Sequence, residues 1–243
     1  GRRPGGFVMT YSTLASIVKY PYSSSQAGKK GKFGFFQSEQ ADFEKIARET
    51  GIKKIQSGEE GERYARYPLV YLVEAADDIC YQIMDIEDAH KLKILTTEET
   101  KHLLVDFFGK DKLALIHRRL APLDDVNEQV SYLRSIAIGL LESECVRVFV
   151  ENEEAILGGT FQGSLIDHIA ERPRMAYRRC METAIAKIYH AQMVVDIEIA
   201  GHKVVTQLLH LMLEAVTHTD RTYSASSRSI SPRYRVSSRR CTT

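Results

Sequence analysis

The sequence is short of several things, and each shortage closes off a class of function. It has no run of eighteen or so uninterrupted apolar residues, and the Arg2-Arg3 start is not followed by the apolar stretch of a signal peptide, so no membrane partner is expected. Cysteine is scarce. Cys80, Cys145, Cys180 and Cys241 lie far apart with no CxxC pair, which argues against a zinc site or a dithiol redox centre and for a reducing, cytoplasmic setting. Neither sign of charge is in excess: 33 Lys and Arg stand against 32 Asp and Glu, a formal net charge of +1. The chain as a whole therefore has no electrostatic bias toward nucleic acid or an anionic membrane, and any anion site must be local. The run Gly1-Arg2-Arg3-Pro4-Gly5-Gly6 holds no initiator methionine, which raises the expectation that the chain begins partway into a longer gene product.

What is present is helix-forming material. With 44% hydrophobic residues in 243, the chain can bury a full core, and strict apolar alternation is rare, so the expected fold class is all-α. A short helix is expected between Phe7 and Tyr20, stopped at Pro21, with Lys19 and Tyr20 in its last turn. Residues 23–32 hold three serines, two glycines and three lysines and read as an exposed mobile loop. A second helix should start at Ser38. From Tyr67 to Leu95 the residues Leu69, Val70, Leu72, Val73, Ile79, Ile83 and Ile86 return at three- and four-residue steps, predicting a long, largely buried helix. Thr97-Glu98-Glu99 marks the start of another helix ending near Phe108, and Asp124 or Asp125 caps one running to about Val150. Further helices are expected over Pro173–Ile188 and Gln192–His218, with a turn or short strand at Gly158–Gly163. A single domain of residues 1–218 would then give way to a Ser/Arg-rich tail, 219–243, too poor in large apolar residues to order itself.

The long helix carries the most informative constellation. Residues advance 100° per position, so Asp77, Tyr81 and Asp85 drift only about 40° per step and form a polar line along an apolar helix. An uncompensated buried carboxylate costs several kcal/mol, so if the line is buried it calls for a metal, a cation or a ligand. The alternative is that Asp77 and Asp85 face solvent while Asp78, Glu87 and Asp88 pair with His90, Lys91 and Lys93. Asp78 lies 100° from Asp77 and is expected to be a structural hydrogen-bond acceptor.

The string from Tyr67 to Ala89, YPLVYLVEAADDICYQIMDIEDA, resembles the last metal-binding helix of the bacterial dGTPase-like HD-domain enzymes. TYSTLASIVKYP and KFGFFQSE resemble the segment preceding it in that family, and KIYHAQMVVDIEIAGHKVV a later helix. The three matches fall in order across roughly residues 7–215. The resemblance implies an HD-domain-type helical bundle, here partial, and hydrolysis of dGTP or another dNTP to deoxynucleoside and inorganic triphosphate. It implies that Asp77 is one ligand of a divalent metal, Mg²⁺, Mn²⁺ or Fe²⁺, held in the family by two His and another Asp. It further implies that Tyr81 and Asp85 contact the deoxyribose and that Lys19 and Tyr20 contact the triphosphate. Tyr189 is expected to stack on the base and Glu198 to accept from a guanine edge. Homo-oligomeric assembly and single-stranded DNA as an effector come with the resemblance alone. On the residues themselves, Lys19 also reads as a solvated lysine, Tyr189 as core, and Glu198 as a partner of Lys203.

The sequence departs from the family pattern in one decisive respect: no His-Asp dipeptide occurs in it, and all eight histidines follow Asp77. One carboxylate does not hold such a metal by itself. This chain alone is expected to be inactive. The competing expectation is a non-catalytic helical interaction module whose basic tail touches nucleic-acid phosphates.

Overall fold

The computed structural model describes residues 8–56 and 61–217. The Ser/Arg-rich tail and His218 lie outside the described residues. Among those described the fold is all-α, with nine helices and a single two-stranded hairpin. No described helix is long and apolar enough to cross a membrane.

Helix α1 (Tyr11–Ser16) begins at Thr10, whose hydroxyl caps Thr13 N–H, and α2 spans Gln40–Thr50. Strands β1 (Lys54–Gln56) and β2 (Arg63–Tyr64) pair antiparallel, and α3 (Pro68–Lys91) follows. Proline suits the first turn of α3 because its missing N–H would have no intrahelical partner there. The helix ends in a Schellman arrangement, with Lys93 in the left-handed region at φ 59° and Ile94 N–H returning to Ala89 O at 2.8 Å. Helix α4 (Thr97–Val105) starts with a reciprocal capping box between Thr96 and Glu99. Helix α5 spans Lys110–Leu120. Helix α6 (Val126–Glu151) is capped by Asp125, and α7 spans Glu153–Gly158. Helix α8 (Glu171–Thr183) runs into a π-helical turn over Ala184–Ile188.

The main core lies where α3 packs along α6, with α4 and α8 against them. Ile83 and Ile86 of α3 and Leu133, Ala137 and Leu141 of α6 are fully buried there. Each such aliphatic side chain contributes about 1.5–3 kcal/mol by leaving water. Phe35, Phe43, Ala47 and Tyr64 form a second, smaller cluster, in which Phe35 stacks on Phe43 with centroids 4.4 Å apart. That cluster anchors the loops that precede α3.

The chain divides into two units, one through Ile188 and one from Tyr189 onward. The second holds α9 (Gln192–Thr217), a helix described by itself.

The structure corrects several expectations of local structure. Helix α1 stops at Ser16, three residues before Lys19, which leaves Lys19 and Tyr20 on irregular backbone. The Lys19 carbonyl is instead taken by Arg66 Nε–H at 3.1 Å, and Tyr22 N–H closes on Tyr20 O at 2.7 Å. The serine- and lysine-rich loop is folded: it makes two short 3₁₀ turns, and Ser24 N–H donates to Phe35 O at 2.9 Å. Neither α5 nor the hairpin was legible in advance. Helix α5 buries only Ile116, and each strand is too short to show alternation.

Candidate functional site

A cavity of about 520 Å³ opens in the first unit at the N-terminal part of α3. Three stretches of irregular chain and one helix face build its walls. Lys19, Tyr20 and Tyr22 follow α1; Arg63 and Arg66 come from β2 and the residues after it; Phe161, Gln162, Ser164 and Asp167 come from the turn after α7. Tyr71, Glu74 and Asp78 project from α3.

Glycines set two of these approaches. A Cβ on Gly34 would lie 2.2 Å from Tyr20 O and 2.5 Å from Val18 Cγ1, so only glycine lets the KFGFF segment close against the Lys19-Tyr20 backbone. Gly159 has φ 75°, and a Cβ there would sit 2.7 Å from Ala65 Cβ, which ties the turn after α7 to the residues leading into α3.

Glu74 is the electrostatic centre. It is 9% exposed, with Lys19 Nζ 2.9 Å from Oε1 and Arg66 Nη1 2.8 Å from Oε2. The Arg66 guanidinium also lies over the Tyr71 ring, 5.4 Å from its centroid, and Tyr71 OH donates to Phe161 O at 3.1 Å. Burial works against the charged form of Lys19, yet the hydrogen bond and charge of Glu74 together raise its pKa. On the other side of the cavity Asp167 Oδ2 accepts from Ser164 N–H at 3.0 Å and Ser164 Oγ at 2.7 Å. Burial pushes the Asp167 carboxyl upward, and these two donors outweigh it and hold it below its ordinary value. Asp78 is half-buried; burial raises its pKa, Lys19 opposes this, and the neighbouring carboxylates reinforce it. Its backbone carbonyl accepts from Tyr177 OH at 3.1 Å while its side chain lines the cavity.

The cavity brings Lys19 and Tyr20 together. Asp77, Tyr81 and Asp85 do not line it. Asp77 is exposed, Tyr81 is 63% exposed and Asp85 is half-buried, so the enclosed surroundings expected for this line are not formed by the described residues. Helix geometry connects the two groups nevertheless, because Glu74, Asp78, Tyr81 and Asp85 fall within about 60° of one another around α3. The polar stripe is thus longer than the one read from the sequence, with its first turn walled in and its later turns open. Tyr189 and Glu198 belong to the second unit, Tyr189 half-buried and Glu198 exposed on α9.

Arg63, Arg66 and Glu74 were not singled out in advance. For Glu74 a signal existed, since positions 74, 78, 81 and 85 follow the four-three-four spacing of one helix face. For the two arginines there was none, because only the closure of separate loops makes them neighbours.

Among the described residues no group of three or more His, Cys, Asp or Glu side chains stands close enough together to hold a metal ion. Around Asp77 the described residues supply one carboxylate and not the complete donor set of a metal centre.

No family model matches the chain. Curated relatives do. A "deoxyguanosinetriphosphate triphosphohydrolase-like protein" of Pseudomonas aeruginosa is 38% identical over 189 residues, covering 76% of this chain and 42% of that protein. One of Synechocystis is 32% identical over 232 residues, covering 88% of this chain and 48% of its own length. A "deoxyguanosinetriphosphate triphosphohydrolase" of Serratia proteamaculans is 27% identical over 225 residues, covering 84% of this chain and 42% of that protein. The chain belongs to the deoxyguanosinetriphosphate triphosphohydrolase-like family. It spans about half the length of the curated relatives it matches.

Proposed function

We propose that this chain supplies the triphosphate-binding and sugar-binding part of a deoxynucleoside triphosphate triphosphohydrolase, acting on dGTP or a close relative. The observation that carries the reading is the cavity wall on which Lys19 and Arg66 converge on one buried carboxylate, with Arg63 lining the same cavity. A guanidinium matches the planar fork of phosphate oxygens and an ammonium adds a compact charge, the pairing that phosphate binding uses. Tyr20 lies beside them. Further along the same helix stripe, Tyr81 lies roughly 10 Å from Glu74 by helix rise, and Asp85 one turn beyond. That order, cations first and then a phenol and a carboxylate suited to sugar hydroxyls, is the order of groups in a nucleotide.

In this reading Asp77 furnishes one carboxylate to a divalent-metal site whose other ligands are not among the described residues. Such a metal would polarise the phosphate and activate water. Lys19 and Arg66 would offset the negative charge that develops on the phosphoryl oxygens.

Isothermal titration of the chain with inorganic triphosphate, dGTP and deoxyguanosine tests this. Triphosphate and dGTP should both bind, deoxyguanosine weakly, and Lys19→Ala should weaken the first two together. Equal affinity for all three ligands, or no effect of Lys19→Ala, would remove the phosphate assignment. The non-catalytic module is favoured by one observation, the absence of a metal-ligand cluster among the described residues. It predicts no binding of triphosphate at all.

A further inference from the structure

We propose that Glu74 is a positioning residue: it holds the Lys19 ammonium and the Arg66 guanidinium at the cavity wall so that their remaining N–H donors converge on a triphosphate. The inference rests on the reading of the cavity as a triphosphate site.

The geometry forms a closed ring. Glu74 Oε1 takes Lys19 Nζ at 2.9 Å and Oε2 takes Arg66 Nη1 at 2.8 Å, while Arg66 Nε–H donates to the backbone carbonyl of Lys19 itself at 3.1 Å. Side chain and backbone of Lys19 are therefore both held by the same pair. A further bond from Arg66 Nη1 to Gly163 O, 3.5 Å, joins the ring to the opposite wall. The two cations come from different loops, neither of which has regular structure at that point, and Glu74 is the α3 side chain that holds both; Tyr71, also on α3, touches Arg66 alone.

On the cavity lining Lys19, Arg63 and Arg66 face Glu74, Asp78 and Asp167, so the lining carries no formal net charge, and what Glu74 does is gather two of the three cations at one point. Each cation also keeps donors that the ring does not use. An ammonium has three N–H groups and only one goes to Glu74; a guanidinium has five, and Nη2 of Arg66 makes no hydrogen bond with the described residues. Lysine and arginine are the side chains with most rotamer freedom to lose on binding, and Glu74 removes that freedom before the ligand arrives.

The test turns on a sign. Removing a negative charge from a phosphate site should tighten anion binding if Glu74 acts only through its charge, and should weaken it if Glu74 positions the cations. Titration of the whole chain with inorganic triphosphate at low salt is compared for wild type, Lys19→Ala, Glu74→Gln and the double variant. Positioning predicts that Glu74→Gln weakens binding about fivefold to tenfold, the scale of one ordinary hydrogen bond. It also predicts that the double variant binds more weakly than Lys19→Ala alone but by less than the two single effects combined, because Glu74 acts partly through the Lys19 ammonium and partly through Arg66; fully additive effects overturn it. Equal or tighter binding by Glu74→Gln overturns the proposal while the triphosphate reading stands. Absence of binding by the wild type overturns both. Circular dichroism checks folding. If Glu74→Gln does not fold, Glu74→Asp decides: it keeps the charge but withdraws it by one methylene, so weaker binding supports positioning and unchanged binding refutes it. With lysine labelled at ¹³Cε, the Lys19 resonance should titrate at lower pH in Glu74→Gln, which confirms that the two side chains are paired in solution; an unchanged titration overturns the ring.

Discussion

Helix α3 buries two glutamates, and their surroundings differ in a way that separates a scaffold from a site. Glu87, 4% exposed, pairs with Arg134 of α6 at 2.7 Å and with Lys91, four residues on in its own helix, at 3.2 Å. Glu74 has nearly the same burial and nearly the same distances to one arginine and one lysine. The partners of Glu87 stand on regular helices, and the Arg134 Nη2 donates to Ser131 and Ser135 of its own helix, with its Nε–H buried away from any space a ligand could enter. The partners of Glu74 stand on irregular backbone around a cavity and keep donors in reserve. Burial and pairing alone therefore do not mark a functional carboxylate; what marks it is where its cations come from and what space they border.

The sharpest way to break the comparison is at the scaffold end. Arg134→Met should cost about 3 kcal/mol of stability, because it strips a buried carboxylate of its best partner. Denaturant unfolding measures this, and the folded fraction should still bind inorganic triphosphate with wild-type affinity. Loss of affinity there would mean that the two ends of α3 are not independent.

At the cavity end the expectation inverts. Lys19→Ala should cost about 1 kcal/mol of stability or less, since Lys19 is partly exposed, but should weaken triphosphate binding about tenfold. The same unfolding and titration measurements should place the two variants at opposite corners. If Lys19→Ala unfolds the chain and leaves binding intact, the cavity end is scaffold too.

A smaller effect tests the far wall. Asp167 has a folded pKa below its ordinary value of 3.8, so it contributes stability at pH above that value and loses it as pH falls through the depressed one. Asp167→Asn should lower stability by about 1 kcal/mol at pH 7, the scale of a lost cap. The difference from wild type should shrink toward zero below pH 3.8. Thermal melts at the two pH values check it; a pH-independent difference would mean that shape and not charge is what Asp167 supplies.

The smallest prediction concerns the end of α3 beyond Glu87. Lys93 sits at φ 59°, a region in which glycine has no Cβ penalty. Lys93→Gly should stabilise the chain by about 0.5–1 kcal/mol, read from a thermal melt, with no change in triphosphate affinity.

How much of this was legible in advance depended on how local each feature is. The course of α3 was visible because Val70, Ile79, Ile83 and Ile86 repeat at helical spacing. The starts of α4 and α6 were visible because Thr97-Glu98-Glu99 and Asp124 or Asp125 are local start signals; the structure puts the caps themselves at Thr96 and Asp125. Lys19 and Tyr20 were named through resemblance, but their backbone was misjudged, since α1 ends at Ser16 and the Lys19 carbonyl is taken by Arg66, 47 positions away. The arginines of the cavity were missed altogether, and the stripe on α3 was started one turn too late, at Asp77 instead of Glu74.

By itself the sequence determined that this protein is helical, where its longest helix lies and that this helix carries an acidic stripe, because capping and periodicity act over a few residues. Only the tertiary structure decided which turn of that stripe is enclosed and which is open. The reason is physical: a carboxylate's role depends on the charges set beside it, and here those charges arrive on loops that meet only after the chain has closed.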